Sequence, residues 1–570
     1  MSTMPNQLPT RQEMIERQKN EEFDLVIIGG GATGVGTARD AILRGLSVAL
    51  VEKGDFSSGT SSQSTKLLHG GLRYLKNFEF GLVREAALER MNNLEIAPHL
   101  GEIKDFLVPL YTWSEDRPIL LRFGLWVYSA LSFPKNLGRH KWLNKAQLEE
   151  REPLLKNDTL KCGGLYQDVQ THDSRLVIAN ALSAIEHGAV LTNYTYANQW
   201  VHGEDGFTVD VTDQETDEQY QIRGKVLINA TGPWTEIVED RIKNFNGEAK
   251  LRPTWGAHLM LKKKTSGYPV LIVNDDGRAL FLIPHDDYDL AGTTDIDYHG
   301  DPDDIAPTEY DQEYILNAIN KLFPSAKYDE DDVVAAFSGL RPLVYQSGVA
   351  EGKVSRNHEI FVEDGVITVT GGKLTTYRVM AKETVDHALT LLGLSRRNYR
   401  CITQKVNLYG GDVDREEWPE YYEQTSEQLI QDYNIDKKAA KNLVKHYGSD
   451  IDYVRSLLEE HGQAKFKEHR PWMEIQVLYA CRKEMARTPV DFLRRRTWIM
   501  LEENNGEDIL DRVIELMADE LSWDDEMCVE MREKTIDYIN RYIRIQPTVE
   551  IVGEEDIDDL PPIPTTERKK

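Results

Sequence analysis

The residues with the plainest chemical reading lie near the start of the chain. Gly29-Gly30-Gly31-Ala32-Thr33-Gly34 fits G-x-G-x-x-G, and an acid, Glu52, stands eighteen positions after Gly34. In such a pattern Gly29 makes a tight turn, Gly31 lets a pyrophosphate approach the backbone, and Gly34 lets a helix pack closely on a strand. Ala32 and Thr33 open a helix whose N-terminus faces the phosphates, and Glu52 would accept hydrogen bonds from a ribose. By itself this suits NAD as well as FAD. The elements that must position it can be read beside it. Leu25 to Ile28 is a strand, a helix runs to about Arg44, Gly45 stops it, and Val48 to Val51 is a second strand.

The run that follows extends the track. Lys53 to Gln63 is rich in Gly, Ser and Thr, and Ser64 to Tyr74 returns to an apolar, arginine-bearing sequence. Lys53, Thr60, Ser61, Ser62, Thr65, Lys66, Leu67, His69, Gly70 and Gly71 are candidates to line a long cofactor, with Arg73 and Tyr74 facing a polar ligand. Val226 to Ile228 enters Thr231-Gly232, a second place where backbone can approach a nucleotide. A third glycine turn, Gly371-Gly372, runs into a helix expected from about Leu374 to Leu392, with Lys373, Leu374 and Thr375 as further cofactor candidates at its start. A helix start of this kind stabilises an anion.

The rest of the chain sets bounds. Its 570 residues exceed one hydrophobic core and predict two to four domains. A net charge of -28 argues against nucleic-acid binding. Four scattered cysteines with no C-x-x-C predict neither disulfides nor structural zinc, and no metal site is expected. The polar N-terminus lacks an apolar core of the secretory kind, and no apolar run is long enough to cross a bilayer.

The expected architecture is α/β: a Rossmann-like dinucleotide-binding domain (22–98, 160–250 and 345–400) with an inserted antiparallel-sheet cap (99–159 and 251–344). The cap strands are read at His258 to Leu261, Val270 to Val273, Ala279 to Ile283 and Tyr288 to Gly292. An all-helical C-terminal domain (401–546) follows, with a polar segment at 1–21 and a disordered acidic tail at 547–570. The helices expected there are Glu416 to His446, Ile451 to His461, Trp472 to Ala486, Pro489 to Glu503 and Glu507 to Tyr542. Arg494-Arg495-Arg496 reads as paired surface arginines. From Ile119 to Trp142 there is no Asp or Glu, while Arg122, Lys135, Arg139 and Lys141 stand among Phe123, Trp126, Tyr128, Phe133 and Trp142. Such a segment suits contact with an anionic lipid surface. The other reading is a helical hairpin over the core with its cations paired to acids.

Several ordered motifs resemble those of the FAD-dependent glycerol-3-phosphate dehydrogenases. They are IIGGGATGVGTARDA, TSSQSTKLLHGGLRYL, Gln167-Asp168 through Leu176, and Asn229 through Trp234. Gly292-Thr293-Thr294-Asp295, Ser338 through Leu343, and Gly371 through Arg378 continue the series, so that the resemblance spans positions 24 to about 400. It implies FAD as cofactor, sn-glycerol 3-phosphate as substrate, hydride transfer to flavin N5 and dihydroxyacetone phosphate as product. It also implies a membrane quinone as electron acceptor and a peripheral place on the inner, cytoplasmic face of the cell membrane; a homodimer is compatible with it. A phosphate dianion calls for arginines, here Arg73 and Arg341. The hydroxyl proton calls for a base titrating near neutrality, His258, with His69 the competitor. Lys373 would stabilise reduced flavin or the developing alkoxide, Tyr74 would hydrogen-bond substrate, and Arg278 and Thr294 are weaker pocket candidates. Two alternatives stay open: a glycerol-3-phosphate oxidase producing hydrogen peroxide, and, further off, an amine- or amino-acid-oxidising flavoenzyme.

Overall fold

The computed structural model describes residues 8–114, 117–239, 251–274, 277–344 and 357–548, with all their side chains except those of Arg73, Lys76 and Asn77. The expected tail lies almost wholly outside these residues. The chain opens with α1 (Arg11–Asn20), β1 (Glu22–Ile28), α2 (Ala32–Leu43) and β2 (Val48–Val51). The first of these departs from the polar segment expected. Thr10 and Glu13 cap α1 reciprocally, and Met14, Ile15 and Gln18 are buried, with the Gln18 amide donating to the Leu50 carbonyl.

Leu25 to Ile28 and Val48 to Val51 are continuously apolar because both faces of their sheet are covered. β1 lies between β2 and Gln219–Asn229, parallel to both, and the sheet extends to Val366–Gly371 and Val190–Thr192. Helix α2 packs beside Asp173–Glu186 and Tyr377–Leu391, and together with the sheet they bury one large apolar core. The cap is a second sheet, mostly antiparallel. Its centre is Leu251–Lys262, flanked by Tyr288–Gly292 on one side and Val333–Val344 on the other. The four cap strands read from the sequence are all present, each as long as expected or longer.

The C-terminal segment is helical but more broken than its apolar periodicity suggests. Glu416 to His446 divides at Asn434, which is left-handed, and restarts at Lys437 under an Asp436 cap. Glu507 to Tyr542 divides at Ser522 in the same way, restarting under Asp524. Pro489 to Glu503 becomes a π-helical turn over Asp491–Arg496 followed by 3-10 turns. Part of the segment has its own core around Leu443, Val454 and Met473. Another part, including Phe492, Leu493, Met500 and Ile539, shares a core with Phe106 and Phe337 of the cap.

Arg494, Arg495 and Arg496 are not on the surface: all three are at least 95% buried. The tight turn aims consecutive guanidiniums inward because acids lie there to meet two of them. Asp55, just after β2, accepts from Arg495 Nε at 2.7 Å and from Arg496 Nη1 and Nη2 at 2.6 and 3.0 Å. Arg495 also pairs with Asp491, and Arg496 bonds the Glu484 carbonyl at 2.6 Å. Burial alone would push the Asp55 carboxyl up, but Arg496 and Arg495 outweigh it and hold it below the usual range. Removing one partner of a buried pair strands the other charges. Asp55→Asn should therefore lower the unfolding free energy by about 3–5 kcal/mol, read as the shift of a chemical denaturation midpoint. A shift equivalent to less than about 1 kcal/mol would place this cluster with weak surface pairs.

Candidate active site

Two of the motif glycines are required by contact. A Cβ on Gly29, whose φ is 109°, would sit 2.6 Å from the Ala230 carbonyl oxygen, and one on Gly34 would sit 1.9 Å from the Gly29 oxygen. The Glu52 carboxylate accepts from the Gly30 and Gly54 N–H groups at 2.6 and 2.8 Å. Burial pushes this carboxyl up, against the two N–H groups that favour its charged form. Ser61 Oγ accepts from the Ala32 N–H at 2.9 Å and so ties the following loop to the start of α2.

A cavity of about 1420 Å³ opens beside this turn. Gly29, Gly31, Ala32, Thr33, Glu52 and Lys53 border it, as do Thr60, Ser61, Thr65, Leu67, His69 and Gly71 from the long loop. Thr231 and Gly232 border it too, and so do Gly372, Lys373, Leu374 and Thr375 from the third glycine turn. Tyr74, His258 and Arg341 complete the sequence-derived set found around one space, together with Arg278. The β1 and Val366–Gly371 strands are parallel members of one sheet, so both of their glycine turns fall at the same edge.

Four expected cofactor contacts are not in this wall. Gly34 and Gly70 stand behind it, Gly70 donating its N–H to Asp168 at 3.1 Å. Ser62 is buried, its hydroxyl turned back to the Gly59 carbonyl. Lys66 points into the interior, where its ammonium meets Asp173 at 2.8 Å and the Ser62 carbonyl at 3.1 Å. Burial pulls Lys66 down to about 8 despite Asp173. The side chain of Arg73 lies outside the described residues. Thr294 is buried beside the wall, donating to Asp311 at 2.7 Å. The helix expected from Leu374 starts at Tyr377, after a 3-10 turn over Leu374–Thr376.

His258 and Arg341 are set by strand register. Thr254 pairs with Arg341, Gly256 with Gly339, and His258 with Phe337 on one side and Gly292 on the other. Alternate residues of a strand share a face, and the glycines clear that face for the two large side chains. A Cβ on Gly256 would lie 2.2 Å from Arg341 Nη2, and one on Gly292 would lie 2.3 Å from His258 Cδ2. Arg341 donates to Asp295 and to Thr293 Oγ1, each at 2.8 Å. His258 Nε2 is 2.9 Å from Thr65 Oγ1, its ring stacks on Phe337, and its buried Nδ1 has no hydrogen-bond partner among the described residues. Burial first, then the positive charges of Arg341, Lys66 and Arg494, hold this imidazole far below its usual pKa. The imidazole is therefore uncharged, and it does not titrate near neutrality as the sequence leads one to expect. The other histidine, His69, stacks on Tyr74, and Lys373 Nζ lies 3.7 Å from the centre of the same tyrosine ring.

Sequence reasoning missed some of the wall. Asp295 and Thr293, which orient Arg341, sit inside a motif noted only for its resemblance. Tyr538 and Tyr542 border the cavity from the last helix, Asp525–Tyr542, and nothing local in their sequence signals that.

The residues present fit FAD. The glycine contacts leave room for a pyrophosphate at the start of α2, Glu52 stands where a ribose would be held, and the cavity continues to the Gly371-Gly372 turn and Lys373. Comparison with known proteins agrees. Residues 24–386 match the family of FAD dependent oxidoreductases, and residues 401–528 match the C-terminal domain of alpha-glycerophosphate oxidase. The aerobic glycerol-3-phosphate dehydrogenase of Staphylococcus aureus is 36% identical over 534 residues, covering 90% of this chain and 93% of that protein. The crystal structure of the glycerol-3-phosphate dehydrogenase from Bacillus halodurans, complexed with FAD, superposes with a TM-score of 0.78 at 31% identity, covering 95% of this chain and 99% of that one. The L-alpha-glycerophosphate oxidase of Mycoplasma pneumoniae shares the fold, with a TM-score of 0.52 at 19% identity over 68% of this chain and 99% of that one. A chain with this cavity, this buried histidine and these relatives belongs to the FAD-dependent glycerol-3-phosphate dehydrogenase family.

Proposed function

We propose that this protein oxidises sn-glycerol 3-phosphate to dihydroxyacetone phosphate and delivers the electrons to a membrane quinone, working at the inner face of the cell membrane. The observation that carries the reading is the neutral, buried His258 next to Arg341 in a cavity continuous with the dinucleotide turn. FAD, when bound, supplies the hydride acceptor at N5 of its ring. His258 takes the proton of the C2 hydroxyl as hydride leaves C2, a role that needs the neutral imidazole. Arg341, oriented by Asp295 and Thr293, offers planar donors to the phosphate, with Arg73 as the expected second arginine. Lys373, beside Tyr74, supplies positive charge for the developing alkoxide.

A surface feature supports the lipid and quinone part of the proposal. The basic, aromatic segment folds as the helix Pro118–Ser132, which buries Leu125 and Tyr128 and turns apolar residues outward. Ile119, Leu120, Phe123, Trp126 and the following Phe133 are each more than half exposed, as is Phe78 nearby in sequence to the cavity loop. No helix among the described residues is long and apolar enough to cross a membrane. The Tyr128 hydroxyl donates to Asp168 at 2.9 Å, and Asp168 accepts from Gly70, so this helix is tied to the loop that walls the cavity. Of the expected cations, Lys135 pairs with Glu95 and Arg122 lies 5.6 Å from the Trp142 ring. The apolar side chains, more than the cations, are then the contact.

Three measurements test these parts separately. Arg341→Ala should keep its flavin but raise KM for glycerol 3-phosphate by about a hundredfold, the loss of two hydrogen bonds to a charged group. An unchanged KM would remove Arg341 from the phosphate site. Phe123→Glu with Trp126→Glu should abolish sedimentation with anionic liposomes while sparing activity with a soluble dye acceptor; retained liposome binding would refute the helix as the contact. Reduced enzyme mixed with air should reoxidise slowly, and fast stoichiometric peroxide formation would favour oxygen as the acceptor.

A further inference from the structure

Arg494 is a fully buried cation that, unlike its two neighbours, has no carboxylate partner among the described residues. Its Nη2 donates to the Ser62 carbonyl at 3.2 Å and to Gln63 Oε1 at 2.8 Å. Its Nε and Nη1 have no hydrogen-bond partner among the described residues. Burying a guanidinium so sparsely satisfied is costly. What the site offers in return is an aromatic face: the guanidinium carbon lies 5.0 Å from the centre of the Phe337 ring.

Phe337 is also the ring on which His258 stacks, with centroids 5.0 Å apart and planes 11° from parallel. The other support of His258 is Thr65, and Thr65 lies two residues beyond Gln63 on the loop that Arg494 grips. One side chain from the C-terminal segment therefore touches both the ring behind the imidazole and the loop that carries its hydrogen-bond partner. A role confined to joining the C-terminal segment to the rest of the protein would be met by Arg495 and Arg496 with Asp55, and it would not require a cation under the histidine's stacking partner.

We propose that Arg494 is a positioning residue for His258, fixing the imidazole through Phe337 and the Gln63–Thr65 loop. This rests on the reading of His258 as the proton acceptor. The charged groups that face His258 are Arg341 from the neighbouring strand, Lys66 from the loop and Arg494 from the π-helical turn. Arg341 pairs with Asp295 and Lys66 with Asp173. Arg494 has no carboxylate within ion-pairing distance among the described residues, Asp173 offsets it only at longer range, and its charge adds to those of Arg341 and Lys66 in disfavouring protonation of the imidazole.

The sign of the effect follows. The imidazole works as a base above its own pKa, and the rate falls as pH drops through that value. Removing a nearby cation makes protonation easier, so the acid limb of the rate profile moves to higher pH. The test is anaerobic flavin reduction by glycerol 3-phosphate across the acid range, compared between variants so that the substrate's own ionisation cancels. Arg494→Met, which fills the volume without the charge, should keep FAD content, melting temperature and KM near those of the parent. It should lower the maximal reduction rate by about tenfold and move the acid limb up by about one pH unit. Arg494→Lys, which restores the charge, should return the limb toward its parent position. An unmoved limb in Arg494→Met, with His258→Gln inactive, overturns the inference and leaves His258 as the base. Should Arg494→Met not fold, Arg494→Gln, which also lacks the charge, carries the same test; an unmoved limb there overturns the proposal equally. If His258→Gln reduces its flavin at the parent rate, the proton-acceptor reading fails and this inference with it.

Discussion

The structure depends on how one buried carboxylate, Asp55, is neutralised. It stands three residues after Glu52, at the start of the loop that supplies Thr60, Ser61, Thr65 and His69 to the cavity. Two guanidiniums from a turn more than four hundred residues later close on it. Each charge alone would be intolerable at this depth, and together they hold a loop whose own sequence, rich in Gly and Ser, has little tendency to keep one shape. Arg494 then grips the middle of that loop at Ser62 and Gln63. The dinucleotide turn is set by the close backbone contacts that its glycines permit, whereas the loop beyond it is held by the C-terminal arginines.

Much of this was legible in the sequence where the constraint is local. Gly29 and Gly34 are fixed by backbone contacts within about twenty residues or across one strand pair, and a motif records such contacts directly. Leu25 to Ile28, Val48 to Val51 and the four cap strands announce themselves by composition, since a strand's burial is written in its own side chains. Reading failed where the partner was distant. Arg494-Arg495-Arg496 looks like surface because nothing near it says that Asp55, some four hundred and forty residues earlier, awaits it. Lys66 looks like a cofactor contact until Asp173 is seen beneath it. The helix breaks at Asn434 and Ser522 come from single left-handed residues, which apolar periodicity passes over. Asp295 was quoted within a motif, but its hold on Arg341 is a matter of strand register.

The site itself works by emptiness as much as by side chains. Gly256 and Gly292 sit where any larger residue would strike Arg341 or His258, and Gly339 sits where one would strike Gln63. With those places vacated, a flat guanidinium and a flat imidazole lie on one pleated face within reach of the cavity. The same closeness that makes them neighbours keeps the imidazole uncharged, because burial and the adjacent cations both disfavour its protonated form. Geometry and proton affinity are here two outcomes of one packing arrangement.

The wall formed by Tyr538 and Tyr542 bears on how the protein is made. These residues lie on the last described helix, and Arg541 and Tyr542 there reach across to Asp304 and the Asp303 carbonyl. A ribosome has therefore delivered more than five hundred residues before the cavity has all its sides, long after the dinucleotide turn has emerged. An early-folding N-terminal half can offer a nucleotide only a partial seat during translation. Messages truncated ahead of this helix would yield chains that bear every glycine of the motif and still leave the chamber open on one side.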